Sequence, residues 1–165
     1  MSEHLWQRIQ WLTLAGLIPF TTLSLAALFS NSIDVQTIAV EWVCLYTLSI
    51  VSFVGAISLG LVLGHVDLRD DQALRLVTVS ILPSLIGCAA FLLPGFGRPL
   101  LLCLTVMLCF AIEKIYWPDV PIRARWLHFR MRVTLGVVAH LLVIVGLGIY
   151  WTLQASAAEI LDRAG

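Results

Sequence analysis

The feature that most constrains this chain is a succession of apolar runs, each close to the length that crosses a membrane as a helix. The five runs cover residues 9–29, 38–64, 73–93, 100–117 and 131–153. A helix needs about 20 predominantly apolar residues to span the hydrocarbon core of a bilayer. Each run is apolar on nearly all sides, whereas a surface helix of a soluble protein carries one apolar stripe. The sequence therefore predicts an all-α integral membrane bundle of five transmembrane helices, with residues 1–165 forming a single membrane domain.

The composition leaves few other folds open. Hydrophobic residues make up 60% of the 165 residues and charged residues only 12%, against about 45–50% and about 25% in soluble domains. A soluble domain of this length could not bury so much apolar surface. Ten Lys and Arg balance ten Asp and Glu, so no basic excess is available for nucleic acid, which we do not expect as a partner.

The distribution of basic residues predicts the orientation. With five spans, the N-terminus and the second and fourth loops share one side of the membrane. That side carries Arg8, Arg69, Arg75, Lys114, Arg123, Arg125, Arg130 and Arg132. The opposite side carries only Arg98 and Arg163. Because loops rich in Lys and Arg stay in the cytoplasm, we expect an N-in, C-out topology.

The basic segment before the fifth run is the most distinctive stretch of the chain, and we expect it to form a short interfacial helix. It offers a set of candidate contacts for anionic head groups on the cytoplasmic side or for a protein partner: Arg123, Arg125, Trp126, Arg130 and Arg132. Each Arg near an anionic surface contributes roughly 1 kcal/mol to lipid attraction. In the alternative interpretation these residues only set the topology and extend their charged ends to the interface.

His140 is the deepest ionisable residue of the predicted bundle. It lies eight residues beyond Arg132, or about 12 Å along a helix, and an ionisable group inside a membrane is a functional candidate. The alternative is a neutral imidazole hydrogen-bonded to a neighbouring helix. For Glu113, at the end of the fourth run, we expect an ion pair with Lys114 or an arginine. A haem held by His65 and His140 is disfavoured because their predicted depths differ.

Small residues and proline mark expected helix contacts. Ala56, Gly60 and Gly64 recur at four-residue spacing in the second run, and such spacing lets two helices approach closely. Pro83 lies in the third run beside a similar pattern, and Pro19 lies in the first. We expect these positions to serve helix packing, with kinks at the prolines.

The sequence contains no motif of a known catalytic or phosphate-binding site. The four cysteines all lie within apolar runs and none forms a C-x-x-C pair, which favours packing over metal ligation. We therefore predict no enzyme activity, no metal and no cofactor.

Four stretches, taken in order and spacing, resemble the transmembrane protein 69 family. They are residues 16–20 (GLIPF), 52–61 (SFVGAISLGL), 80–87 (SILPSLIG) and 126–135 (WLHFRMRVTL). The family consists of multi-span proteins of unknown function. The resemblance implies a bacterial inner (plasma) membrane, or the mitochondrial inner membrane in a eukaryote. Family members have a His-Trp pair where this chain has Ser58 and Leu59, which argues against a shared site there.

Two functional hypotheses follow. The first is a non-catalytic accessory or assembly subunit of a larger inner-membrane complex, with a respiratory complex as one candidate. The small size and the lack of a polar pathway favour it, and it implies larger membrane-protein subunits as partners. The alternative is a small oligomeric transporter or channel in which His140 lines the pore.

Overall fold

The structure, a computed structural model, describes residues 3–64, 69–116 and 123–164. These ranges form six α-helices and one 3-10 turn, Ala90–Leu92. The helices are α1 Glu3–Ala15, α2 Ile18–Phe29, α3 Ile33–Gly64, α4 Asp70–Ala89, α5 Gly97–Tyr116 and α6 Arg123–Ala164. The described ranges contain no β-strand, and the predicted all-α class is confirmed.

Four segments of the described chain are long and apolar enough to cross a membrane. They are Glu3–Phe29, Ile33–Ile57, Ala73–Leu92 and Arg123–Ile160. Helix α5 also has 20 residues, and its charged residues lie near its two ends. Four to five helices thus have the length and composition of membrane spans, as a multi-pass membrane protein requires. The predicted end of the fourth run at residue 117 lies outside the described residues.

The first predicted span is two helices rather than one. Helix α1 ends at Ala15 and α2 begins at Ile18. Pro19 accounts for the position of the break, because proline has no N–H to donate to the carbonyl of Ala15, four residues back, and its ring collides with that carbonyl. The N–H of Gly16 instead bonds the carbonyl of Thr13 at 3.1 Å, which closes α1 with a tighter turn.

Helix α4, by contrast, is continuous through Pro83. Its backbone comes very close to α3 at Gly55. A Cβ atom at Gly55 would lie 2.6 Å from the carbonyl oxygen of Ser80, a distance that real Cβ atoms do not adopt. The absence of a side chain at Gly55 is therefore what lets α3 and α4 touch.

Helix α6 is far longer than the predicted fifth span. Its 42 residues correspond to about 63 Å of α-helix. The basic segment, expected as a separate interfacial helix, and the polar stretch after residue 153 both belong to this continuous helix. Residues 154–164 include four Ala and one each of Glu, Leu and Arg, which are good helix formers, and they contain no Gly or Pro.

Helix α3 lies at the centre of the bundle. It packs against α2, α4 and α5, while α6 packs against α5 and α2. The buried side chains at these contacts include Phe20, Val43, Val51, Val106, Leu141 and Ile144. Helix α1 packs on α6 through a smaller cluster of Trp6, Phe129 and Val133.

Candidate functional site

A cleft lies between α1 and α3 and is bounded on a third side by α6. It exists because α2 packs along α3 whereas α1, beyond the break, packs on α6 instead. The cleft has a volume of about 380 Å³, which falls within the usual range of small-molecule sites. Its walls are apolar apart from Thr13, Tyr46 and Arg130.

The helix break forms one end of this cleft. Gly16 and Leu17 line it, and the hydroxyl of Tyr46 on α3 donates a hydrogen bond to the carbonyl oxygen of Gly16 at 3.0 Å. Backbone polar groups inside a membrane must be bonded within the protein. The Tyr46 hydroxyl meets that requirement for a carbonyl at the point where the helix is interrupted.

The other end of the cleft contains a buried ion pair. Nε of Arg130 on α6 donates to Oε2 of Glu113 on α5 at 3.1 Å, and the two residues are 9% and 4% exposed. Of this pair, only Arg130 lines the cleft. A molecule in the cleft would therefore contact Arg130 and not Glu113. The arginine expected to pair with Glu113 is thus identified as Arg130.

The other predicted arginines lie in different surroundings. Arg125 is exposed and forms two hydrogen bonds to the carboxylate of Glu3 on α1. Arg123 donates to the backbone carbonyl of Lys114 at 3.0 Å. Arg132 is exposed on α6. The basic segment thus divides into residues that hold helices together and residues that face outward.

Arg125 also fixes the start of α1. Its guanidinium lies 5.2 Å from the ring centroid of Trp6, and Trp6 packs edge-on against Phe129 at 5.9 Å. The hydrogen bond from Arg125 holds the pKa of the Glu3 carboxyl below its usual value. Trp126, the remaining predicted contact, is half-buried and lines the cleft.

His140 is half-buried and contacts two other residues through its ring nitrogens. Nδ1 lies 2.7 Å from the carbonyl oxygen of Gly136, and Nε2 lies 3.2 Å from Oγ1 of Thr21 on α2. A carbonyl only accepts, so Nδ1 carries a proton. The Thr21 hydroxyl also lies 3.1 Å from the carbonyl oxygen of Leu17, so its one proton has two possible acceptors, that carbonyl and Nε2. His140 therefore has the contact with a neighbouring helix that was one of its two predicted roles. Its role in a pore stays a prediction.

The small residues of α3 are not placed as the spacing suggested. Among the described residues, no atom lies within 4 Å of a Cβ built on Gly60 or Gly64, and Ala56 is exposed. The close approach is at Gly55, one residue away from the predicted stripe, and its partner Ser80 lies three residues before Pro83. The spacing identified the helix correctly but not the side of it that meets α4.

Candidate ligands for a metal are not brought together in the described part of the chain. Within residues 3–64, 69–116 and 123–164, no group of three His, Cys, Asp or Glu could hold a metal ion. The four cysteines are free thiols, and all but Cys88 are buried. His65 lies outside the described residues.

Comparison with protein families shows where the chain belongs. A family model described as "Protein of unknown function (DUF3429)" matches residues 6–146, which include the cleft, the ion pair and His140. No curated protein matches the chain at a level that would support a relationship, and neither does any solved structure.

Proposed function

Because the chain belongs to the DUF3429 family, whose function is not known, we propose its role from its own geometry: it is a non-catalytic accessory or assembly subunit of a larger membrane complex. The proposal includes the finer resemblance to transmembrane protein 69, which favours a complex of a bacterial or mitochondrial inner membrane, with a respiratory complex as one candidate.

The carboxyl-terminal part of α6 carries this proposal. Just before this part, Gly148 of α6 lies against Phe96. Beyond it, the side chains described from Thr152 to Ile160 are exposed, including Leu153 at 65% and Ile160 at 67%. Isolated helices shorter than about 12–15 residues are only marginally stable in water. A helical extension of this length with exposed Leu and Ile fits a segment that packs against another subunit.

The proposed orientation is N-in, C-out. The end of the bundle where α1 begins carries eight of the ten basic residues, so the positive-inside rule assigns it to the cytoplasm. Arg123, Arg125, Trp126, Arg130 and Arg132 then lie at the level of the cytoplasmic head groups. Lipid contact at this segment is part of the proposal, alongside protein contact at the opposite end of α6.

Gentle affinity purification from native membranes tests the subunit role. We expect the tagged protein to bring larger membrane subunits with it, and the double substitution of Leu153→Ser with Ile160→Ser to release them. Leu92→Ser is the matched control, because Leu92 is 85% exposed but lies outside α6. Recovery of the native protein as a stable lone monomer would contradict the proposal.

One observation favours the second candidate, a small oligomeric transporter. The first span is interrupted about halfway along, and transporters often build their sites from broken helices near the midplane. His140 approaches this span at Thr21, five residues after Gly16. In liposomes, this candidate predicts a pH-dependent flux that His140→Ala abolishes. A flux equal to that of empty vesicles would eliminate it.

A further inference from the structure

We propose that the cleft between α1 and α3 binds one anionic phospholipid, with its phosphate against Arg130 and one acyl chain between the two helices. The proposal rests on the interfacial position of the Arg123–Arg132 segment given above. It does not depend on the role as a subunit.

The cleft extends in the direction that a lipid would require. Arg130 lies just before the apolar run of residues 131–153, at the level where head groups begin. Val137, which also lines the cleft, lies seven residues further along α6, or about 10 Å deeper. Trp126 is at the head-group end, where amphipathic rings are enriched. The cleft therefore leads from the interface into the hydrocarbon region.

The charge of the cleft favours an anion. Arg130 is the charged residue among those lining it, whereas Glu113 does not line it. The bond to Glu113 uses Nε. A guanidinium has five N–H donors, so donors on the terminal nitrogens remain for a phosphate, the group that arginine binds best in a planar, two-bond arrangement. Glu113 thus holds Arg130 in position without occupying its terminal nitrogens.

The head group, rather than the tail, must decide which lipid binds. An acyl chain that enters the cleft moves there from lipid surroundings that are equally apolar, so its insertion contributes almost no binding free energy. The attraction between Arg130 and a net negative head group is what distinguishes one lipid from another. In a zwitterionic lipid, the cationic group beside the phosphate offsets that attraction. The site should therefore select by charge and be indifferent to small changes in the acyl chain.

Native mass spectrometry of the full-length protein tests the preference. The protein, purified in mild detergent, is incubated with equal amounts of phosphatidylglycerol and phosphatidylcholine that have identical acyl chains. We expect one retained lipid, with phosphatidylglycerol favoured about fivefold, the factor expected for one arginine near a membrane surface. Equal retention of the two lipids by the native protein would overturn the proposal.

Two variants locate the site. Arg130→Gln with Glu113→Gln removes both charges at once, so no unpaired carboxylate stays buried, and should reduce the preference to less than twofold. Thr13→Phe fills the cleft from α1 and should reduce retention of both lipids. Arg163→Gln and Thr22→Phe are the matched controls, since both residues are exposed and neither lines the cleft. A preference that survives in the double variant would contradict the assignment to Arg130.

A quenching measurement that leaves Arg130, Glu113 and Thr13 unchanged keeps the test decisive if the variants above fail to fold. Lipids brominated on the acyl chain quench nearby tryptophans, and the contribution of Trp126 is isolated by comparison with Trp126→Phe. Brominated phosphatidylglycerol should quench Trp126 more than brominated phosphatidylcholine does, and equal quenching would overturn the proposal. Neither experiment involves partner subunits, so its failure would leave the result of the affinity purification unaffected.

Discussion

Helix α3 has a closed face toward α4 and an open face toward α1, although both neighbouring segments contain a proline. On the closed face, α4 runs unbroken through Pro83 and its Ser80 carbonyl touches α3 at Gly55. On the open face, the chain breaks before Pro19 and α1 turns away to pack on α6. One proline therefore accompanies the close contact at Gly55 and the other the cleft between α1 and α3.

The difference shows that a proline in a membrane helix does not by itself decide the outcome. The outcome depends on which residue of the neighbouring helix contacts the backbone around the proline. A glycine on α3 allows the backbone of α4 to come close, and the helix stays whole. A tyrosine hydroxyl on α3 provides a bond for the Gly16 carbonyl, and the interrupted backbone remains satisfied where no water is available.

The largest expected effect concerns the buried ion pair between Arg130 and Glu113, beside the open face of α3. Glu113→Ala leaves Arg130 as an unpaired buried charge and should destabilise the protein by about 3–5 kcal/mol, measured by denaturant unfolding in detergent. Replacing both residues with leucine should recover most of that loss, because buried pairs are often neutral when exchanged for apolar residues. A single variant as stable as the double variant would mean that the pair does not support this face.

The next effect concerns the closed face. Gly55→Val places a side chain against the Ser80 carbonyl and should cost about 1–3 kcal/mol through overpacking, measured in the same unfolding assay. Gly60→Val is the matched control on the same helix, because a Cβ there meets no described atom within 4 Å. If the two variants lost stability equally, the closed face would not depend on the approach at Gly55.

A smaller effect is expected from the bond at the break. Tyr46→Phe removes the donor to the Gly16 carbonyl and should cost about 1 kcal/mol in unfolding free energy. Tyr150→Phe, which removes an exposed hydroxyl from α6, is the control and should have almost no effect. A Tyr46 variant as stable as the control would indicate that the break does not need its bond from α3.

The smallest effect is a pH dependence at the start of α1. Because the pKa of Glu3 is lowered by Arg125 in the folded protein, its contribution is present above the usual value of 4.5 and disappears as the pH falls through the lowered value. Acid should therefore loosen α1 from α6, and added salt should weaken the effect further because the pair is exposed. Hydrogen exchange of the first turns of α1, with Glu3→Gln as the pH-insensitive control, measures it. Equal acid sensitivity in both proteins would contradict the role of Glu3.

The sequence was sufficient for the helical class and for the position of most helices, because runs of apolar residues report directly on burial in lipid. It also indicated a cationic partner for Glu113, either Lys114 or an arginine, since a carboxylate at that position needs a cation, but it did not distinguish the two. It did not reveal the break before Pro19, because hydropathy carries no information on backbone hydrogen bonds. Pro83 lies among equally apolar residues, so hydropathy does not distinguish the two prolines. The predicted small-residue stripe of α3 lies one residue away from Gly55, where α4 makes its close contact. Four-residue spacing shows that one side of a helix carries small residues, but it does not show which way that side faces in the bundle.

The length of α6 has a mechanical consequence. An unbroken helix of about 63 Å behaves as a stiff lever, so that its two ends cannot move independently. A tilt of about 10° at the arginine-bearing end would displace the far end by about 11 Å. Helices accommodate a change in bilayer thickness by tilting. Such a tilt of α6 would displace its exposed carboxyl-terminal end at the other side of the membrane.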